Sequence, residues 1–310
     1  MLTLLDFKTA QICIRPYIHL TPTTFDAPHQ LYLKWENRQP TRSFKVRGAI
    51  HKILSMDPVP PLLITGSAGN HGQAVALAAQ KIGTKAWVFV PEKTPHVKVN
   101  RMLELGAKVE RVPGLFGDAE AKAIQTAREL GAPFISAYND RDVIAGAGTI
   151  ALEWLDQLPN LGRILVPVGG GGLISGVGLA AKAVNPDIEI IGVLSEASPY
   201  MYHHFYYGHM RDVVELPTLT DGLAGAIEHG SITLEWIFQA CDAIVQVTEA
   251  EVAAAIAYMY RELNEEVEGS GAVGLAAVMA GKIQVIEYPT GALVSGGNID
   301  PLKLEAISPM

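Results

Sequence analysis

Three glycine-rich loops and one lysine carry the residue types in this 310-residue chain whose spacing could do chemistry. Gly169, Gly170, Gly171 and Gly172 stand between an apolar run, Arg163 to Val168, and a helical pattern that starts at Leu173. The first turn of a helix offers unpaired N–H groups and the positive end of the dipole, and glycine lets an anion approach that backbone closely. A tight turn without a ligand is the other reading. Four successive glycines, each costing backbone entropy, favour a phosphate cradle over it. The loop is no P-loop, because no lysine follows the run. It fits the dinucleotide spacing badly too, since Ile174 stands where a third glycine is needed. Glu196, after the next apolar run, could still serve as a ribose-binding acid, which keeps a nicotinamide-dependent oxidoreductase as an alternative.

A second loop, Thr65 to Gln73, also joins a strand pattern to a helix pattern. Its Ser67 and Asn70 can cap that helix. Its small neighbours, Ala68, Gly69 and Gly72, would let the loop N–H groups grip a carboxylate. Ser295-Gly296-Gly297-Asn298 forms the third loop. Ligands of open α/β sheets gather at the carboxyl ends of strands, so the three loops are expected to converge. Lys45 lies in Pro40-Thr41-Arg42-Ser43-Phe44-Lys45-Val46-Arg47-Gly48-Ala49, ahead of all three. A lysine beside an arginine is usually a solvated surface charge. Partial burial and the nearby Arg47 cation would lower its pKa and make the amine a nucleophile toward an aldehyde.

The elements that must position these residues show in the periodicity. Short apolar runs at 62–65, 86–90, 108–112 and 134–136 alternate with helical spacing at 71–80, 97–105 and 118–130. A second series follows a helix at 150–158, with strands at 163–168, 188–194, 243–247 and 292–294 and helices at 173–184, 249–263 and 272–280. This βαβ alternation predicts an α/β fold with two open, twisted, mostly parallel sheets flanked by helices. Residues 50–145 are expected to form a small α/β domain, and 1–49 with 146–310 a large one made of both ends of the chain. The stretch 198–220, rich in Tyr, His and Pro without a clean period, reads as a loop with short helices near an opening.

The composition narrows the function class. A net charge of −8 without any basic run argues against a nucleic-acid or anionic-membrane surface. The first twenty residues lack the uninterrupted apolar core of a signal peptide, and no stretch reaches membrane-spanning length. Cys13 and Cys241, the only cysteines, form no metal-ligand spacing, and a reducing, cytoplasmic location is expected.

The lysine segment resembles the lysine motif of pyridoxal-phosphate enzymes of the tryptophan-synthase-β fold (fold type II), most closely the branch of threonine/serine dehydratases and serine racemase. Ser67 to Gln73 resembles that branch's substrate loop and Gly169 to Leu173 its phosphate loop. Glu268-Gly269-Ser270-Gly271-Ala272 and Ser295 to Asn298 resemble two later motifs, and Asp221-Gly222-Leu223-Ala224 a less specific one. The matches come in family order over most of the chain.

The resemblance implies pyridoxal 5'-phosphate in a cleft between the domains, held by Lys45 as a Schiff base, and a small amino-acid substrate. Lys45 would also move protons at the substrate's Cα. Phe44 would pack beside the ring, and Asn70 would bond its phenolic oxygen. Ser295 would meet the pyridine nitrogen, Gly169, Gly170, Gly171, Gly172 and Leu173 the phosphate, and Glu268 would also line the cofactor. Ser67, Ala68, Gly69, Asn70 and His71 would hold the substrate carboxylate. A neutral hydroxyl at the ring nitrogen suits β-elimination, so the expected activity is a threonine/serine ammonia-lyase, with a racemase or β-replacing synthase as the alternative within the same chemistry. A homodimer or higher homo-oligomer is implied as well.

Departures from the pattern refine these expectations. Arg42 stands where the family usually has Gly, which would alter the phosphate or substrate end. Gly269 replaces a common Pro. Ala68 replaces the second Ser of serine racemases, which favours elimination over racemisation. Glu196 could be one ligand of the divalent cation common in this branch, but the second acid position falls near Tyr202, so no metal is expected. The short stretch after Asn298 leaves no expectation of a regulatory domain or of feedback by isoleucine.

Overall fold

A computed structural model describes residues 1–285 and 288–309. In chain order the elements are α1 (Leu4–Ile14), β1 (Thr23–Asp26), β2 (Leu31–Trp35), α2 (Lys45–Leu54), β3 (Leu62–Gly66), α3 (Asn70–Ile82), β4 (Lys85–Pro91), α4 (His96–Glu104), β5 (Lys108–Val112) and α5 (Phe116–Leu130). There follow α6 (Arg141–Gln157), β6 (Arg163–Pro167), α7 (Gly172–Val184), β7 (Glu189–Ser195), α8 (Tyr200–Tyr207), α9 (Thr233–Ala240), β8 (Ala243–Val247), α10 (Glu249–Arg261), α11 (Gly269–Met279), β9 (Thr290–Val294) and α12 (Pro301–Ile307).

The strands form a six-stranded sheet in the order β1-β2-β9-β6-β7-β8 and a three-stranded sheet in the order β3-β4-β5. All described pairings are parallel except that of the edge strand β1 with β2. Parallel strands covered by helices on both faces should be apolar throughout rather than alternating. Ile164 to Pro167 of β6 and Thr290 to Val294 of β9 are indeed buried without a break. One core, with Ile144, Trp154, Ile164, Val166, Ile174 and Ile190, fills one face of the large sheet, and a second, with Leu33, Leu165, Val193, Val273 and Ala292, fills the other. A third core joins Leu63, Val75, Val88 and Met102 around the small sheet to Val46, Ile50 and Ile53 of α2.

The helix that begins at Lys45 thus lies between the two sheets, and two devices fix it there. Its Gly48 meets Gly146 of α6 at a crossing so close that a Cβ on Gly48 would lie 2.7 Å from the Val143 carbonyl oxygen. Beside that crossing is a buried polar quartet. Arg47 donates to Glu36 (Nε–Oε2 2.8 Å, Nη2–Oε1 2.7 Å) and to Glu153 (2.8 Å), while Lys34 donates to Glu153 (2.6 Å) and to the Thr21 carbonyl (2.7 Å). Burial pushes the Glu36 carboxyl up, but the charge and bonds of Arg47, with the Thr21 hydroxyl and Lys34, together hold it below its usual range. The quartet joins β2, α2, α6 and the 3-10 turn Glu36–Arg38.

Several expectations need correction. Residues 134–136 do not form a strand; only an isolated bridge between Phe134 and Ile64 extends the small sheet there. The helix expected at 150–158 begins at Arg141, where Asp140 caps it through the N–H groups of Asp142 and Val143. The edge pair β1-β2 and helix α1 were not apparent in the periodicity. In 198–220, α8 is the one regular helix, and it contributes Met201 to the first core.

Candidate active site

Lys45 is the first residue of α2. The chain reaches it through an antiparallel bridge between Ser43 and Gly296 and a bond from the Phe44 N–H to the Ser295 carbonyl (3.0 Å). The third glycine loop therefore lies directly beside the lysine. The amine donates to the Ala137 carbonyl (2.8 Å) and stands 5.1 Å from the centre of the Phe44 ring. Burial pushes the Lys45 pKa down to about 8, against a weaker upward pull from Glu268. The positive end of α2 acts in the same downward direction. Arg47 is not the cause, contrary to the expectation from sequence. Its guanidinium faces away into the carboxylates of Glu36 and Glu153.

Beyond Ala137 comes Tyr138, and the phosphate-cradle candidate packs against it. A Cβ on Gly170 would lie 2.7 Å from the Tyr138 ring, and one on Gly172 2.9 Å from its Cα. Gly171 has φ +88° and presses on Met201 and Thr233, so the close packing and the left-handed turn both require glycine. The Thr233 hydroxyl donates to the Gly170 carbonyl (2.7 Å) and so satisfies that acceptor from outside the loop. No side chain caps α7, and among the described residues no acceptor meets the N–H groups of Gly169 to Leu173. A bare helix start with several free N–H groups is a site for a phosphate.

The substrate loop candidate follows the same logic. No side chain caps α3, so the capping reading of Ser67 and Asn70 does not hold; Ser67 Oγ instead accepts from the Gly69 N–H (3.3 Å) within the loop. His71 is buried, and its Nε2 meets the Ile135 carbonyl at 3.0 Å. A carbonyl only accepts, so Nε2 carries the proton and Nδ1 presents a lone pair with no partner among the described residues. Burial first, and then the nearby Lys45, push the His71 pKa down to about 3, so the ring is neutral.

Asn70 joins this loop to the later motifs. Its Nδ2 donates to Glu268 Oε1 (2.6 Å), and its Oδ1 accepts from Asn298 Nδ2 (2.7 Å). Glu268 also accepts from the Asn298 N–H (3.2 Å), and a Cβ on Gly296 would lie 2.4 Å from Glu268 Oε1. Burial, reinforced by Asp221, pushes the Glu268 carboxyl up to about 7 despite these bonds. The Ser295 hydroxyl is buried at the end of β9 and donates to the Ser270 carbonyl (3.3 Å). The Asp221 to Ala224 segment closes the ring, with the Gly222 N–H on Ser270 Oγ (3.1 Å) and Leu223 against Gly169. Lys45, the three loops and Glu268 thus surround one cleft between the sheets.

Other candidates send no side chain into it, although the Arg42 carbonyl accepts from the Gly297 N–H of the third loop (2.9 Å). Arg42 adopts φ +56°, the left-handed conformation for which glycine is the ordinary choice, and its side chain turns to Glu266 at the surface (2.9 Å) instead of to either end of the cleft. Glu196 is exposed beyond β7. Among the described residues no group of three or more His, Cys, Asp or Glu side chains is placed to hold a metal ion. Tyr138, the Ala137 carbonyl and Thr233 line the site without any sequence signal, because loops bring them there from distant positions.

The residues present fit pyridoxal phosphate. The cradle suits a phosphate, the amine of Lys45 suits the aldehyde, and the Ser295 hydroxyl and Asn70 amide supply polar groups between the two. Residues 11–296 match the family of pyridoxal-phosphate dependent enzymes. The L-threonine ammonia-lyase of Thermotoga maritima is 40% identical over 99% of this chain and 78% of its own length. The catabolic L-threonine dehydratase of Staphylococcus aureus is 37% identical over 97% of this chain and 90% of its own. Maize serine racemase superposes with a TM-score of 0.90 at 32% identity, covering 98% of this chain and 96% of that one. The chain belongs to the pyridoxal-phosphate dependent enzymes of this fold, and pyridoxal phosphate, not a nicotinamide, is its cofactor.

Proposed function

We propose that this enzyme is a threonine/serine ammonia-lyase, converting a β-hydroxy amino acid into a 2-oxo acid and ammonia. The observation that carries the reading is the position of Lys45: a half-buried amine with its pKa lowered to about 8, in a cleft ringed by three glycine-rich loops. The names of the relatives at 40% and 37% identity point to the same reaction. Pyridoxal phosphate, when bound, supplies the electron sink that makes the substrate's Cα–H acidic. Lys45 then acts as the base at Cα, and the partial neutrality of its amine near pH 8 suits that task. Gly169, Gly170, Gly171, Gly172 and Leu173 would hold the phosphate, Phe44 would pack beside the ring, and Ser295 would be the neutral partner of its nitrogen. Asn70, bonded to Glu268 (2.6 Å), would meet the ring's phenolic oxygen. Ser67 and the N–H groups from Ala68 to His71 hold the substrate carboxylate. The small domain carrying that loop spans about residues 50–145.

Elimination is favoured over racemisation because Ala68 offers only a methyl group, packed on the third core, where an acid–base group for the second face would stand. Incubating the holoenzyme with L-threonine and L-serine should release 2-oxo acid and ammonia in equal amounts. Formation of D-amino acid without 2-oxo acid would instead support a racemase. A cytoplasmic homodimer or higher oligomer remains the expected setting; sedimentation of the holoenzyme tests the assembly.

A further inference from the structure

We propose that Arg101 and Asn298 are positioning residues that fix which atom Asn70 presents to the cofactor. Arg101 belongs to α4, on the small sheet's side of the cleft, and its Nη1 donates to Asn298 Oδ1 (2.9 Å) on the large sheet's side. A guanidinium has no acceptor, so the Asn298 oxygen must face α4. The Asn298 amide nitrogen is thereby directed to the Thr41 carbonyl (2.9 Å) and to Asn70 Oδ1 (2.7 Å). Asn70 accepts at that contact, and its N–H donors therefore point into the cleft, where Nδ2 meets Glu268 (2.6 Å). Glu268 does not fix this direction by itself, since its carboxyl, pushed up to about 7, donates when protonated. The Thr41 carbonyl supports the same orientation of Asn298 from the lysine segment. A chain of three side chains thus passes donor polarity from α4 across the cleft to the atom beside the ring. An amide with its oxygen forward would repel a phenolic oxygen that an N–H stabilises.

The inference rests on the assignment of Asn70 to the ring's phenolic oxygen, and the experiment separates the two. Absorption spectra of the bound cofactor and its dissociation constant are measured for wild type, Asn70→Ala, Asn298→Asp and Arg101→Met, with circular dichroism to check folding. Asn298→Asp is nearly isosteric and still accepts from Arg101, but it cannot donate to Asn70, so it tests polarity without removing bulk. It should displace the absorption band in the same sense as Asn70→Ala and weaken cofactor binding roughly tenfold, as loss of one hydrogen bond to a charged oxygen does. Arg101→Met should shift the band in that sense by a smaller amount, because Thr41 still holds Asn298. Wild-type spectra for both variants beside a displaced Asn70→Ala spectrum would overturn the inference alone. An undisplaced Asn70→Ala spectrum would overturn the assignment of Asn70 and the inference with it.

Discussion

Lys45 begins a helix, and loss of solvent opposes its charge and pushes its pKa down to about 8, against a weaker upward pull from Glu268. Because the folded value lies below the ordinary 10.5, the unfolded chain binds the extra proton between those limits. Stability of the cofactor-free protein contributed by this group therefore rises with pH over that window, and at neutral pH the lysine is a burden on the fold. Lys45→Met should accordingly raise the melting temperature of the cofactor-free protein at pH 7 while abolishing turnover; a lower melting temperature would contradict the desolvation argument. Glu268 has the opposite sign. Its folded value of about 7 exceeds the ordinary 4.5, so its contribution is complete below pH 4.5 and is lost as pH rises through 7. Denaturant titrations should show that Glu268→Gln removes a decline of up to about 3 kcal/mol between those values, taken at 1.36 kcal/mol per pH unit. At this scale the sequence was informative where a motif names the residue: Lys45, Asn70, Gly169 to Gly172 and Ser295 all meet in the cleft. It misassigned the cause of the Lys45 shift, since nothing in Lys45-Val46-Arg47 reveals that Arg47 faces Glu36, 11 residues earlier, and Glu153, 106 residues later. It gave Arg101 no role either, because a single arginine on a polar helix carries no pattern.

The elements do their work by leaving groups unsatisfied where a ligand is needed. Thr3, Asp140, Thr248 and Asp300 cap α1, α6, α10 and α12 through their side chains, whereas α2, α3, α7 and α11 begin at the cleft with no side-chain cap, and α4 and α8 lack one as well. Strand–loop–helix alternation shows these starts in sequence because period and glycine runs are local. The packing of α2 on α6 is not local, and only the structure shows why Gly48 follows the lysine so closely. Gly48→Ala would place a methyl group 2.7 Å from the Val143 carbonyl oxygen. It should cost about 1–3 kcal/mol in denaturant unfolding and raise KM by moving Lys45. The quartet beside that crossing is more sensitive. Glu153→Gln leaves Lys34 and Arg47 short of one buried negative charge, and about 3–5 kcal/mol of stability should be lost in urea titrations. Strand 134–136 was over-read for a related reason: an apolar triplet looks like a strand, but the pairing stops at one bridge to Ile64, made by the Pro133 carbonyl and the Ile135 N–H.

Across the whole molecule, the small sheet supplies the Ser67 to His71 loop, the large sheet supplies Gly169 to Leu173 and Ser295, and the lysine helix lies between them. The two-sheet architecture was legible because both series of βαβ units repeat the same local pattern. The passage between them carries no such pattern: α2, packed in the small sheet's core, crosses α6, packed on the large sheet, and no composition change marks either helix. A cofactor touching both sides binds only when both are folded, so loading with pyridoxal phosphate should raise the melting temperature of the chain in a single transition. Two separated transitions would show that the cleft does not couple the sheets. The most direct measurement is peptide mapping of the holoenzyme after borohydride reduction. A stable pyridoxyl label should appear on Lys45; a label on another lysine, or none, would show that this amine does not hold the cofactor.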